Sequence, residues 1–225
     1  MAPGMRRTLA SGVSLAPRFL LAAALLAGAG ALAWYLTHRV DSTPVSVAPR
    51  TLERWSLVTS DGTDPWVVAM KPPETLVASL VAAVSQRSGA ALVPPAHPAL
   101  PLVLRTEFDE GLQGVYGVDS VLRIARESGV ETGTFTPICL AHRTTTGPDG
   151  PAEVYYVPFE SEAFVKVRVD LVPAQPEHGG IGIYDPSLLT PVVIVAASTP
   201  DVDRFLPLPF DPERDCEAPV QAGQN

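Results

Sequence analysis

The chain has only two cysteines among its 225 residues, Cys139 and Cys216. They lie 77 positions apart, a spacing that rules out the C-x-x-C pair of redox-active domains. The four histidines form no H-x-x-x-H or H-x-x-E pair, the spacings expected of a histidine metal site. The sequence therefore predicts no metal-binding residue.

Nucleophile and phosphate-binding motifs are missing as well. There is no G-x-S-x-G elbow and no G-x-x-x-x-G-K-[ST] loop. The stretch 178–182, HGGIG, resembles the oxyanion turn of some esterases, but without an elbow we interpret it as a plain glycine loop. Gly111, Gly114 and Gly117 recur every third residue without a dinucleotide-binding context, and we expect them to allow close packing before a helix. We predict no catalytic and no cofactor-binding residue.

Acidic residues are absent before Asp41, so all 24 of them follow that point. Three of the 16 basic residues precede position 19, which leaves thirteen basic residues and a formal charge of −11 after it. So acidic a surface repels phosphate backbones and anionic lipid headgroups. Nucleic acid is excluded as a partner on this ground.

The one long hydrophobic run is 19–36, FLLAAALLAGAGALAWYL. A helix of that length spans roughly 27 Å, close to the hydrocarbon thickness of a bilayer. Arg6, Arg7 and Arg18 precede it, and Trp34 and Tyr35 lie within its C-terminal end. The positive-inside rule then places the N-terminus in the cytoplasm and the rest outside. We predict a single-pass protein whose signal anchor is 19–36.

A second interpretation of the same run is a cleaved secretory signal. Ala31-Leu32-Ala33 is an A-x-A pattern of the kind that signal peptidase recognises. Cleavage near Ala33 would release a secreted protein, although the run is longer than the usual signal core of ~7 to 15 residues. Both alternatives export the domain.

The rest of the chain divides by composition. We expect a short basic cytoplasmic tail at 1–18, the membrane helix at 19–36 and a proline-containing linker at 37–50. An extracytoplasmic domain follows at 51–210, and an acidic tail at 211–225 is expected to be poorly ordered after Cys216.

Hydrophobic periodicity predicts the elements of the domain. Helical spacing favours two helices, and β-branched runs and alternation favour strands. We expect helices at 74–88 and 115–128, and strands at 51–59, 66–70, 91–93, 102–108, 134–145, 153–159, 165–171 and 192–197, the last in a central position, with a very short helix from 199 to 205. This order is not a βαβ repeat, so the predicted fold class is α+β, with a mainly antiparallel sheet and two helices packed on it.

Export of the domain determines whether its two cysteines can form a disulfide. In an oxidising compartment we expect one possible disulfide, Cys139–Cys216, and two unpaired thiols are the alternative.

Scattered acids and histidines give the remaining candidates. Asp211, Glu213, Asp215 and Glu217 alternate but lack the features of a calcium loop, so we interpret them as a solvated acidic segment. A carboxylate-dependent hydrolase needs two acids across a cleft. Glu107, Asp109 and Glu110 are the carboxylates nearest to forming such a pair, and the groups expected to meet in a pocket are Glu107, Asp109, Asp185, His142 and His178.

These observations favour a membrane-anchored extracytoplasmic domain with a non-catalytic protein-interaction or envelope-assembly role. The membrane, through 19–36, and a protein of unknown identity are the expected partners. An exported carboxylate-dependent hydrolase is the alternative. It predicts that two or more of the candidate acids and histidines meet within ~4 Å in a pocket.

Overall fold

A computed structural model describes residues 43–88, 91–147, 150–172, 184–201 and 205–223. The predicted membrane helix at 19–36 and the tail before it lie outside these residues. Within the described ranges, no helix is long and apolar enough to cross a membrane. All of the described residues belong to the unit Asp41–Asn225.

The larger of two sheets has six strands, and β7 is its longest. Its path is β1-β9-β6-β7-β5, and β8 pairs with β7 as well. Every pairing is antiparallel except the parallel β1–β9 pair. The strands are β1 Val45–Val47, β5 Thr136–Pro137, β6 Cys139–Gly147, β7 Gly150–Glu160, β8 Val192–Ala197 and β9 Cys216–Ala222.

The smaller sheet is antiparallel throughout, in the order β2-β3-β4. Its strands are β2 Ser56–Thr59, β3 Trp66–Lys71 and β4 Leu100–Leu104. The predicted strand pair around Asp61-Gly62 is thus confirmed, except that Pro49–Leu52 is a 3-10 helix.

Five α-helices occur in the described residues: α1 Glu74–Arg87, α2 Arg105–Glu107, α3 Val118–Glu127, α4 Glu162–Asp170 and α5 Pro212–Asp215. The mixed α+β class with a mainly antiparallel sheet is confirmed. Helices α1 and α3 lie where the spacing predicts them. Gly129 follows α3 with a φ of 81°, a left-handed conformation that glycine adopts without strain.

Helix α4 contradicts the predicted strand at 165–171. Ser161 caps the helix by accepting a hydrogen bond from the Phe164 N–H at 3.3 Å. The side chains that reach the core are Phe164, Val167 and Leu171, at the helical spacing i, i+3, i+7. Val165 and Val169, which create the alternating pattern, are exposed instead. Period-two alternation was therefore misleading because the valines fall on opposite sides of a helix.

The ends of the predicted domain also need correction. We expected a spacer at 37–50, but Val45 and Val47 are buried in β1. We expected a poorly ordered tail after Cys216, but β9 lies between β1 and β6. The alternating carboxylates at 211–217 therefore span a capped turn and the start of a strand.

Two interior strands differ from expectation as well. The strand predicted at 102–108 ends at Leu104, and a helical segment follows in which Phe108–Leu112 forms a π-helical turn. The stretch 91–93 contributes one bridge, from Val93 to Ala197. Strand β8 is fully buried as expected, but it is the last strand of the large sheet because β7 is its one strand partner in the described chain. The helix predicted from 199 to 205 falls partly outside the described residues.

Apolar side chains pack on both faces of the large sheet. Leu140, Tyr155 and Val157 belong to the main core, which includes the buried faces of α1, α3 and α4. Ala141 and Tyr156, on the opposite face, belong to a second cluster completed by the segment from Phe205 to Phe210. This two-sided packing fixes β6 and β7 at the centre of the fold.

Candidate functional site

The two cysteines form the expected disulfide. Cys139 on β6 and Cys216 at the start of β9 are bonded at an S–S distance of 2.04 Å, with their Cα atoms 5.7 Å apart. Because β9 separates β1 from β6, the bond fastens the C-terminal strand inside the sheet. It closes a large loop of the chain, which is a stabilising role.

Next to the disulfide lies a polar cluster built around the carboxylate of Asp215, whose side chain is 1% exposed. Arg143, Arg214 and the Tyr156 hydroxyl donate to it from the side chains, and the Asp211 N–H donates from the backbone at 2.9 Å. We call these five residues the Asp215 cluster.

Charge pairing governs the pKa of Asp215. Burial alone would raise it, but the hydrogen bonds from Arg214, Arg143, the Asp211 N–H and Tyr156 outweigh that cost and hold the pKa well below its usual range. Burial, and then the bond to this carboxylate, raise the pKa of the Tyr156 phenol. At neutral pH the Asp215 carboxylate is therefore ionised and its charge is matched by hydrogen bonds within the cluster, which is the arrangement of a structural ion pair.

A second polar network surrounds Arg168 on α4, which is 1% exposed. Its guanidinium donates to both carboxylate oxygens of Glu107, at 2.8 and 2.7 Å, and to the carbonyls of Leu102 and Asp185. It also lies over the Tyr184 ring, 4.5 Å from the centroid. Glu107 accepts from the Leu104 N–H at 2.9 Å, which explains why the chain turns helical there. Sequence reasoning missed Arg168 because it placed the residue on the wet face of a strand.

The hydrolase candidates lie in different places. Glu107 is bound to Arg168, whereas the Asp185 carboxylate accepts from Ser187 at 2.8 and 2.6 Å. His142 contacts Glu217 at 3.1 Å and stacks on Tyr155. Nothing among the hydrogen bonds and ion pairs of the described ranges joins two of the candidates Glu107, Asp109, Glu110, Asp185 and His142. His178 lies outside those ranges with the glycine turn 179–182.

A concave surface of the described chain forms a groove of about 630 Å³. Three elements border it: the end of β2 with Val58 and Thr59, the exposed side of α1 with Val77 and Val81, and the proline-rich loop 94–99. Volumes of about 300 to 1,000 Å³ are typical of sites that hold small molecules or anchoring side chains. We call this surface the groove.

The turn between β2 and β3, which forms one end of the groove, is held in place by local hydrogen bonds. Asp61 accepts from the Thr63 N–H at 3.1 Å and from its hydroxyl at 2.7 Å. Ser60 Oγ accepts from the Gly62 and Asp64 N–H groups, at 3.0 and 3.2 Å. Gly62 has a φ of 110°, so a residue with a side chain would be strained there.

Arg105, at the start of α2, fixes the same turn from behind. Its guanidinium donates to the Asp64 carbonyl at 3.0 Å and to Ser60 Oγ at 3.2 Å. Its own N–H donates to the Pro65 carbonyl at 2.8 Å. The wall of the groove is thus rigid before any ligand arrives.

An aspartate–histidine contact marks the point where the groove meets a smaller cavity of about 200 Å³ beside β8. His97 Nδ1 lies 2.9 Å from Asp64 Oδ1, with Asp64 12% exposed and His97 61% exposed. Among the described residues no hydrogen bond joins His97 to a serine, threonine or cysteine, so the pair lacks the nucleophile of a catalytic triad. The sequence contained His97 and its proline loop, but Asp64 is 33 residues away and carried no signal of contact.

Charges line the rim of the groove. Asp61, Asp64 and Glu74 are acidic, and Lys71 lies 3.8 Å from Glu74. The hydrogen bonds from Thr63 lower the pKa of Asp61, so this carboxylate is ionised at neutral pH. Within the described ranges no group of three or more His, Cys, Asp or Glu side chains is arranged to hold a metal ion.

Comparison with protein-family models, with curated proteins and with solved structures gives no match to this chain. Function is therefore inferred from the geometry alone. The groove is the candidate functional site because it is an open, mostly apolar cleft of suitable volume and the turn at its end is held by hydrogen bonds.

Proposed function

We propose that the protein is a membrane-anchored extracytoplasmic domain that docks on another protein through the groove and performs no chemistry of its own. The groove carries this proposal: Val58, Val77 and Val81 line an open cleft beside a fixed turn. Concave, mostly apolar clefts with a few polar groups at the edge are the usual binding sites of a domain.

The Cys139–Cys216 disulfide supports the extracytoplasmic location. Disulfides persist in oxidising compartments and are rare in reducing ones. The apolar run 19–36 supplies the anchor in this proposal, with the N-terminus in the cytoplasm. Cleavage near Ala33 is the alternative, and the mass of the purified protein distinguishes the two.

The location is tested with alkaline phosphatase, which folds only in an oxidising compartment, fused after Gly223. Intact bacteria expressing the fusion should show phosphatase activity, and deletion of 19–36 should abolish it. An active deletion variant, or an inactive intact fusion, would overturn the outward placement.

Docking is tested by placing a photo-crosslinking amino acid at Ala78, an exposed position of α1 that lines the groove. Ultraviolet irradiation of intact cells should give a defined adduct with one protein, identified by mass spectrometry. The matched control is Ala82, which is exposed one turn further along α1 and lies outside the groove. Equal crosslinking from both positions, or no adduct from Ala78, would contradict docking through the groove.

A further inference from the structure

We infer that the occupant of the groove is a short segment of a partner protein that carries aliphatic side chains together with at least one lysine or arginine. This inference rests on the proposed docking function and specifies the chemistry of the partner.

The aliphatic requirement follows from the floor of the groove. Val77 and Val81 lie half-buried on α1 and line the groove together with Val58 of β2, and Val81 also packs against the main core. Pro94, Pro95 and Pro98 add further apolar surface from the loop. Aliphatic side chains that bind to such a surface are removed from water together with it, and this burial of apolar area favours binding.

The cationic requirement follows from the imbalance of charge at the rim. Both basic groups there already face an acid: Lys71 lies 3.8 Å from Glu74, and His97 contacts Asp64. Asp61 is ionised, and its hydrogen bonds come from the neutral Thr63. It forms no ion pair within the described ranges. A cation on the partner would complete this set of charges.

The charge of the surrounding unit acts in the same direction. Asp41–Asn225 contains twelve basic and 24 acidic residues, a formal charge of −12. A field of this sign speeds the approach of a basic segment and disfavours an acidic one. It also disfavours nucleic acid and anionic lipid, whose phosphates would meet the same charges.

The rigidity of the site makes a short segment sufficient. Arg105 and Ser60 hold the turn that carries Asp61, and prolines restrict the opposite loop. A surface that is already ordered loses little conformational entropy when it binds.

Selection from random peptides tests the inference without knowledge of the partner. Full-length protein in detergent is exposed to a displayed library of random decapeptides, and the enriched sequences are remade with a fluorophore. We expect the enriched peptides to combine aliphatic residues with lysine or arginine. Their affinity should fall as ionic strength rises.

Two variants locate the binding. Ala78→Trp should fill the groove and weaken the selected peptides at least about tenfold, whereas Ala82→Trp should leave their affinity unchanged. Asp61→Asn keeps the oxygen that accepts from Thr63 and removes the charge. It should weaken lysine-containing peptides about threefold to tenfold and leave their lysine-to-glutamine counterparts unaffected.

Enrichment of acidic or purely polar peptides, or no enrichment at all, would overturn the inference. Equal effects of Ala78→Trp and Ala82→Trp would overturn it too. A partner that is crosslinked from Ala78 but contributes no basic segment would refute this inference and leave the proposed function standing. Absence of any crosslinked protein would refute the proposed function itself.

Discussion

The Asp215 cluster and the groove each contain a carboxylate that meets a basic side chain, but they differ in what surrounds the pair. The Asp215 side chain is 1% exposed and receives donors from Arg143, Arg214 and Tyr156. At the groove, Asp64 is 12% exposed and its partner His97 is 61% exposed. One pair is enclosed by the protein, whereas the other opens onto a cleft.

This difference in exposure predicts that the first pair stabilises the fold, whereas the second is accessible to a binding partner. A buried ion pair that loses one partner leaves an uncompensated charge, so the whole fold depends on keeping it intact. The pair at the edge of the cleft should contribute less to stability, because its member His97 is largely exposed to water. The enclosed cluster should therefore respond strongly to mutation through unfolding, and the groove should respond through binding alone.

The largest effect is expected at the enclosed pair. Asp215→Ala leaves Arg143 and the Tyr156 hydroxyl buried without their acceptor. We expect a loss of about 3–5 kcal/mol in the free energy of unfolding, measured with urea under oxidising conditions.

The matched control for this loss is an exposed ion pair. Glu127 accepts from Arg123 at 3.1 Å, and the two side chains are 63% and 62% exposed. Glu127→Gln should change the stability by less than about 1 kcal/mol. Similar losses in the two variants would show that burial does not distinguish the pairs.

Acid titration gives an independent test of the same cluster. Because the folded protein holds the pKa of Asp215 below the unfolded value of about 3.9, its contribution to stability is present above that value and is lost as the pH falls towards the folded pKa. Wild-type stability should drop more steeply below about pH 4 than that of Asp215→Ala. Parallel acid limbs would contradict the depressed pKa.

Removal of the disulfide should cause the second-largest loss in the free energy of unfolding. Cys139→Ala combined with Cys216→Ala removes the covalent link between β6 and β9. We expect the free energy of unfolding to fall by about 2–4 kcal/mol, since the unfolded chain regains the freedom that the closed loop denies it. Wild-type protein in a reducing agent should lose a similar amount. Unchanged stability in both samples would mean that hydrogen bonding alone holds β9 in the sheet.

Sequence alone predicted the disulfide beside the Asp215 cluster, but it predicted neither that cluster nor the groove. Cys139 and Cys216 are the only two cysteines, so their pairing needed no knowledge of the fold. The partners of Asp215 were not predictable. Arg143 is 72 residues away, and the alternating acids favoured a solvated segment over a strand edge.

Local periodicity predicted α1 and α3 because the buried side chains of each helix recur at helical spacing. It was wrong for α4, where Val165 and Val169 remain exposed and the buried set includes the charged Arg168. The groove gave no signal in the sequence at all. It arises where β2, α1 and the loop 94–99 meet, and only tertiary structure brings those segments together.

A smaller loss of stability, at alkaline pH, is expected from Tyr155 on β7 of the large sheet. Burial, and then the charges of Glu217 and Glu153, raise its pKa to about 12. The unfolded phenol ionises near pH 10, so stability present below pH 10 should be lost as the pH rises towards 12. This loss should amount to roughly 2–3 kcal/mol and should be missing in Tyr155→Phe. An equally steep alkaline limb in that variant would assign the loss to other groups.

The smallest effect on stability is expected at the groove. Ala78 is exposed on α1 and Asp61 lies on an exposed turn, so neither Ala78→Trp nor Asp61→Asn removes a buried contact. Each should change the free energy of unfolding by less than about 0.5 kcal/mol. Ala78→Trp should nevertheless prevent the partner identified by crosslinking from co-purifying with the protein out of detergent extracts. A loss of several kcal/mol at Ala78 would mean that the cleft supports the fold, and the division between an enclosed structural pair and an open binding surface would then fail.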